Sequence, residues 1–221
     1  MNGSDTGALL RALVAGTATS IGLALYVAHV WLSQLAWAPP SARAFVQAST
    51  LAGVGLVLRP ALPPGAVSGL VWTLALGAIA VLWLPAGRTA AALGVLLILG
   101  FATALQALAL RCTRDAGSAV RTTLAVLGLA AAAPLWAGPW AENTSPIVAD
   151  AIIGMSPLSL VAVLANHDYL REPWWYTHSV FGALRFDYPA VGPLVAAYLG
   201  VSALLFAAAR ASFHPMRSMR R

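Results

Sequence analysis

Few side chains in this 221-residue chain can do chemistry, and most of them lie in its last third. The stretch EPWWYTHSVFGALRFDYP, residues 172 to 189, gathers two Trp, two Tyr, two Phe, a His and three charged residues within eighteen positions. Four histidines invite a haem or a metal. A b-type haem needs His pairs facing each other on adjacent helices, yet only His29 falls inside a clear apolar run; His214 is in the tail, and His167 and His178 lie between runs. His167, Asp168 and His178 are acceptable ligand types, but their spacing across Pro173 matches no metal motif, and a solvated loop accounts for them. Ser156, in Gly154-Met155-Ser156-Pro157, could be a nucleophile only with a base beside it and donors for an oxyanion. Pro157 directly after it fits a helix N-cap with proline at the first helical position, and the cap suffices. No GxxxxGK[ST] loop is present, so the chain does not hydrolyse ATP alone. The sequence therefore assigns no catalytic residue, no cofactor and no metal ligand.

The elements that must position these residues follow from composition. The chain is 60% hydrophobic and only 9% charged, against about 25% charged in a soluble domain. That excludes a water-soluble fold and predicts one polytopic membrane domain over 1–221, with no room for a separate soluble one. The first apolar run is too long for a cleavable signal peptide, and no small-residue cleavage site is followed by a hydrophilic chain. Cys112 is the single cysteine, so packing and not disulfides must hold the fold. All thirteen basic residues are Arg. The pI near 10.4 could point to nucleic acid, but several Arg border apolar runs, which makes topology the better explanation and nucleic acid no partner.

About 20 apolar residues cross a bilayer, and the runs 10–33, 66–85, 89–110, 119–138 and 190–209 qualify. A shorter run, 44–58, is bounded by Arg43 and by the prolines of RPALPPG, and is counted as the second of six spans. The run 147–165 carries Asp150 and the break at Ser156-Pro157, and predicts a re-entrant or interfacial helix pair before the last span. The expected fold is thus an all-α integral membrane protein with about six transmembrane helices. Six spans put both termini on one side. With the N-terminus cytoplasmic, nine of thirteen Arg are inside and only Arg43, Arg88, Arg171 and Arg185 are outside, as the orientation rule favours. Residues 139–189 then form one non-cytoplasmic segment. Trp174, Trp175, Tyr176 and Tyr188 are expected at headgroup depth, as anchors or as the lining of a path for an amphipathic substrate.

The clear spans carry no acidic relay of the kind proton-driven transporters use, so any transport needs another energy source. The order of features from about residue 90 resembles the C-terminal half of ABC-2-type permeases. LALRCTRDAGSAVRTTLAVLGL is similar to the family's long helix, short basic cytoplasmic turn and following span; MSPLSLVAVL, residues 155 to 164, is similar to its outer re-entrant hairpin; VGPLVAAYLGVSALLFAAAR is similar to its last span. The likeness covers about 130 residues. It departs from the family in having nine residues before Leu10 and only RPALPPGA between the second and third spans. It implies an exporter subunit in the bacterial inner membrane that dimerises with a permease copy or homologue, contacts lipid, and works with a cytoplasmic ATP-binding-cassette subunit. Arg59, Arg111, Arg114 and Arg121 would then face the ATPase, and Ser156, Pro157, Trp174, Trp175, Tyr176 and Tyr188 the outer gate. Two other readings stand beside it: an accessory subunit supplying packing surface to a larger membrane complex, and a membrane enzyme using polar residues of 166–187.

Overall fold

The computed structural model describes residues 38–58, 66–137, 140, 145–178 and 188–211, apart from the side chains of 66, 67 and 174–176. The described residues are helical, with no strand among them. The expected span 10–33, Arg59, and residues 141–144, 179–187 and 212–221 lie outside them.

Helix α1 is Pro40–Leu58, its proline at the first position where a missing N–H costs nothing. Helix α2, Ala66–Trp83, is joined to α3, Ala90–Thr113, by a tight turn in which the Arg88 N–H donates to Pro85 O at 3.0 Å and Gly87 takes φ +79°. Helix α3 ends where Arg114 turns left-handed, φ 56°. Asp115 is extended and caps α4, Ala116–Ala131, by accepting from the Ser118 N–H at 2.6 Å. A link of two residues makes α3 and α4 antiparallel neighbours.

Helix α4 stops at Ala132. Pro134 has no N–H to offer the carbonyl one turn back, and the chain restarts as the single turn α5, Ala133–Trp136. The apolar run 119–138 is therefore two successive helices and not one continuous helix. Helices α6, Pro146–Met155, and α7, Pro157–Ala165, follow with a 90° bend between them. A 3-10 turn, Tyr169–Arg171, the short α8, Pro173–His178, and α9, Val191–Ala211, complete the order.

Helix α3 is the hub, packed on by α1, α2, α4, α7 and α9. Glycines let the helices approach. A Cβ on Gly94 would lie 3.2 Å from the Val161 side chain on α7, and Trp72 Nε1 of α2 donates to Gly55 O of α1 at 3.1 Å. In α3, 56% of the residues in the apolar stretch are buried, against 6% in α9, so α9 lies at the rim and keeps most of its apolar surface outward.

Two helices, α3 and α9, are long and apolar enough to cross a membrane, and the bent α6–α7 pair makes a third if taken as one span. Of the six expected spans, five fall on described residues. Runs 44–58, 66–85 and 119–138 became helices of 19, 18 and 16 residues. At 1.5 Å per residue the last of these is about 24 Å long, short of a hydrocarbon core of about 30 Å.

A hydroxyl-pinned cap as the candidate functional site

The break at Ser156 builds the site. Ser156 is the N-cap of α7 by backbone, φ −74° and ψ 121°, with Pro157 at the helix start, as the sequence predicts. Its hydroxyl does not close the cap. It donates instead to Ala131 O at 3.2 Å, on the last turn of α4, where the Pro134 break has left carbonyls without their helical donors. One proline bends the cap, and the other creates the acceptor that fixes it.

Four more hydroxyls, those of Ser159, Tyr169, Tyr188 and Tyr198, bond in and around the α6–α7 pair. Ser159, wholly buried on α7, shares a 3.0 Å hydrogen bond with the Tyr169 hydroxyl. Tyr169 is 1% exposed and stacks on Phe45 of α1 with ring centroids 5.3 Å apart. Tyr188 donates to Asp168 Oδ1 at 2.9 Å and accepts from the Leu170 N–H at 3.3 Å. Tyr198 of α9 donates to Met155 O at 3.3 Å, the last residue of α6. Burial pushes the Tyr169 and Tyr188 hydroxyls above the ordinary phenol value, so both stay protonated. Such bonds contribute about 1 kcal/mol each, which holds a small element in place and still lets it move.

Helix α7 ends where Asn166 takes the left-handed conformation, φ 53°, and the His167 N–H returns to Ala162 O at 2.9 Å. His167 lies against the Phe45 ring, centroids 5.1 Å apart, with Nε2 3.5 Å from Glu172 Oε1. Burial holds the imidazole below its ordinary value, and the Glu172 and Asp168 carboxylates oppose that. Arg171 Nε pairs with Asp168 Oδ2 at 3.3 Å.

All these contacts gather at one end of the bundle. Ala131 ends α4, Phe45 and Gly94 are in the first two turns of α1 and α3, and Tyr198 is in the second turn of α9. The bent pair therefore forms a cap against the helix ends gathered there.

The basic turn is at the other end. Arg111, Arg114 and Arg121 are exposed there. Arg121 donates to Ser118 Oγ at 3.0 Å and reaches Asp115 only at 4.0 Å, between exposed groups where an ion pair contributes little. Hydrogen bonds from Ser118 hold the Asp115 carboxyl below the usual range. Of the expected gate residues, Ser156, Pro157 and Tyr188 come together in the cap; Trp174, Trp175 and Tyr176 lie on α8 next to the 3-10 turn, their side chains outside the description. Ser159, Tyr169 and Phe45 were not singled out from sequence. A serine one turn into α7 and a tyrosine in an apolar setting were the available signals. Among the described residues no group of three His, Cys, Asp or Glu could hold a metal ion. Compared with protein-family models, with curated proteins and with solved structures, the chain finds no match, so its reading rests on this geometry.

Proposed function

We propose that this chain is the membrane-embedded permease subunit of an ABC-type exporter, that the α6–α7 cap is its outer gate, and that a separate cytoplasmic ATP-binding-cassette subunit drives it. The observation that carries the reading is the cap itself: a bent helix pair lodged among the ends of α1, α3, α4 and α9, packed there by buried apolar side chains and joined to α4 and α9 by single hydroxyl contacts. In this reading six crossings, from 10–33 to 190–209, leave both termini in the cytoplasm of a bacterial cell. The run 119–138 crosses as α4 with α5 extending it, and the Arg114–Asp115 turn faces the ATPase. Closure of the ATPase pair would rock the helices and release the cap.

Purification of the chain in mild detergent from its native host tests this. An ATP-binding-cassette subunit should co-purify, and its ATPase activity should fall in a Cys112→Ser chain whose cap is cross-linked to α4. Absence of any ATPase from the purified assembly sinks the proposal. It would favour the second reading, an accessory subunit, for which the outward apolar surface of α9 is the specific support. Topology is checked separately: His178→Cys and Ser218→Cys, each in the Cys112→Ser background, should label from opposite sides.

A further inference from the structure

Helix α6 exposes an apolar face that the hydroxyl pins leave unexplained. Ile147 is 77% exposed, Met155 53% and Val148 39%, and Ala151 is exposed between them. At 3.6 residues per turn these four positions share an arc of about 100°. The opposite side of the helix, Ala149, Ile152 and Ile153, is buried against α5 and the 3-10 turn. Asp150 is half-buried at the margin between the two faces.

Two neighbours say what covers the exposed face. Trp136 and Trp140, which lead into α6, form an edge-to-face pair with centroids 5.9 Å apart and are 46% and 66% exposed. The Trp136 indole N–H donates to Leu129 O at 2.8 Å, which lays the ring flush against the last turn of α4. The same helix has other outward apolar side chains, Leu124, Val126 and Leu129, the last two on one side of it. Among the charged residues that follow the cap, Asp168 pairs with Arg171 and Glu172 with His167. The exposed surface therefore runs from the flank of a bundle helix, through two tryptophans, to one face of a short helix bent by 90° from the next.

We propose that α6 is an interfacial helix lying in the lipid leaflet at the cap end, with Ile147, Val148, Ala151 and Met155 in the acyl region, Trp136 and Trp140 at headgroup depth, and Asp150 at the water-facing margin. Tryptophan rings favour that depth because they join an apolar body to a polar N–H, and a helix with one lipid face and one protein face is held parallel to the surface. The proposal needs only a membrane around the bundle and is independent of transport.

The test is nitroxide labelling of Ile147→Cys, Ala151→Cys, Met155→Cys and Asp150→Cys, each with Cys112→Ser, in nanodiscs of phosphatidylcholine and phosphatidylglycerol. Collisions with oxygen should exceed collisions with a nickel chelate several-fold at 147, 151 and 155, and fall to parity or below at 150. Nickel exceeding oxygen at all four positions would put α6 in water and overturn the proposal. Low access to both reagents at 147, 151 and 155 would mean a second copy or another subunit covers the face, and would also overturn it. Brominated lipid supplies a second readout that needs no label. It should quench the wild-type chain more than a Trp136→Phe, Trp140→Phe variant of unchanged helicity, and equal quenching counts against the proposal.

Discussion

If hydroxyl bonds pin the cap, the Ser159–Tyr169 pair should behave as a coupled unit. Tyr169→Phe keeps the ring stacked on Phe45 and removes only the hydroxyl that Ser159 shares at 3.0 Å. Both residues are buried, so the Ser159 hydroxyl left behind by Tyr169→Phe loses this bond where water does not replace it, at a cost of about 1–3 kcal/mol, whereas the Tyr169 hydroxyl left behind by Ser159→Ala keeps a second partner in Ser156. Ser159→Ala should cost about the same or less. The double variant removes both polar groups and should be little worse than either single one, giving a coupling of about 1 kcal/mol. The assay is maleimide reactivity of Leu170→Cys in a Cys112→Ser chain, because Leu170 is wholly buried in the cap and reacts only when it opens. Each single variant should speed labelling by about fivefold or more, since 1.4 kcal/mol is tenfold in an equilibrium constant, and the double variant should not multiply the two effects. Additive effects, or single variants that label like the parent, would refute the view that this contact holds the cap.

Gly94→Val should wedge α7 away from α3, because a Cβ there already meets Val161 at 3.2 Å and Leu164 at 3.3 Å; a loss of about 1–3 kcal/mol is expected in thermal unfolding. Gly100→Ala is the matched control: nothing lies within 4 Å of its Cβ, and the better helix former should be neutral or stabilising by up to about 1 kcal/mol. Acid should loosen the cap through His167. Its folded pKa lies below the ordinary 6.5, so the stability it contributes is present above that value and is lost as pH falls from there through the folded value; His167→Gln should flatten the pH profile of Leu170→Cys labelling. Asp115→Ala should fray the start of α4, seen as faster amide exchange at Ser118, whose N–H loses its acceptor.

Breaks were the most legible features of the sequence. Ser156-Pro157 announced the bend in the 147–165 run, because a proline at a helix start fits only there. Pro134 carried an equal signal within AAAPLW, but the apolar run continues across it, and hydropathy alone reads through a missing N–H. Burial was not legible. Helix α7 is apolar on every side, so no periodicity marks the face that meets α3, and α3 and α9 read alike as apolar runs although one is the hub and the other the rim. Nor could composition tell that Ser156 bonds a carbonyl 25 residues earlier, since that acceptor exists only because α4 stops where it does. Gln106 on α3 and Gln47 on α1, each with a buried amide oxygen lacking a partner among the described residues, were visible as polar residues in apolar helices and were passed over.

Helix α4 is connected at both extremities: at one to α3 by the two-residue Arg114–Asp115 link, at the other to the cap by the single hydrogen bond from Ser156 to Ala131 O. A rigid rod of 16 residues, about 24 Å long, works as a lever. A tilt of about 5° applied at the basic turn sweeps the far tip through about 2 Å, more than a 3.2 Å hydrogen bond can stretch and survive. Force delivered to three exposed arginines would thus be felt first at one serine hydroxyl, with no side chain in between required to move.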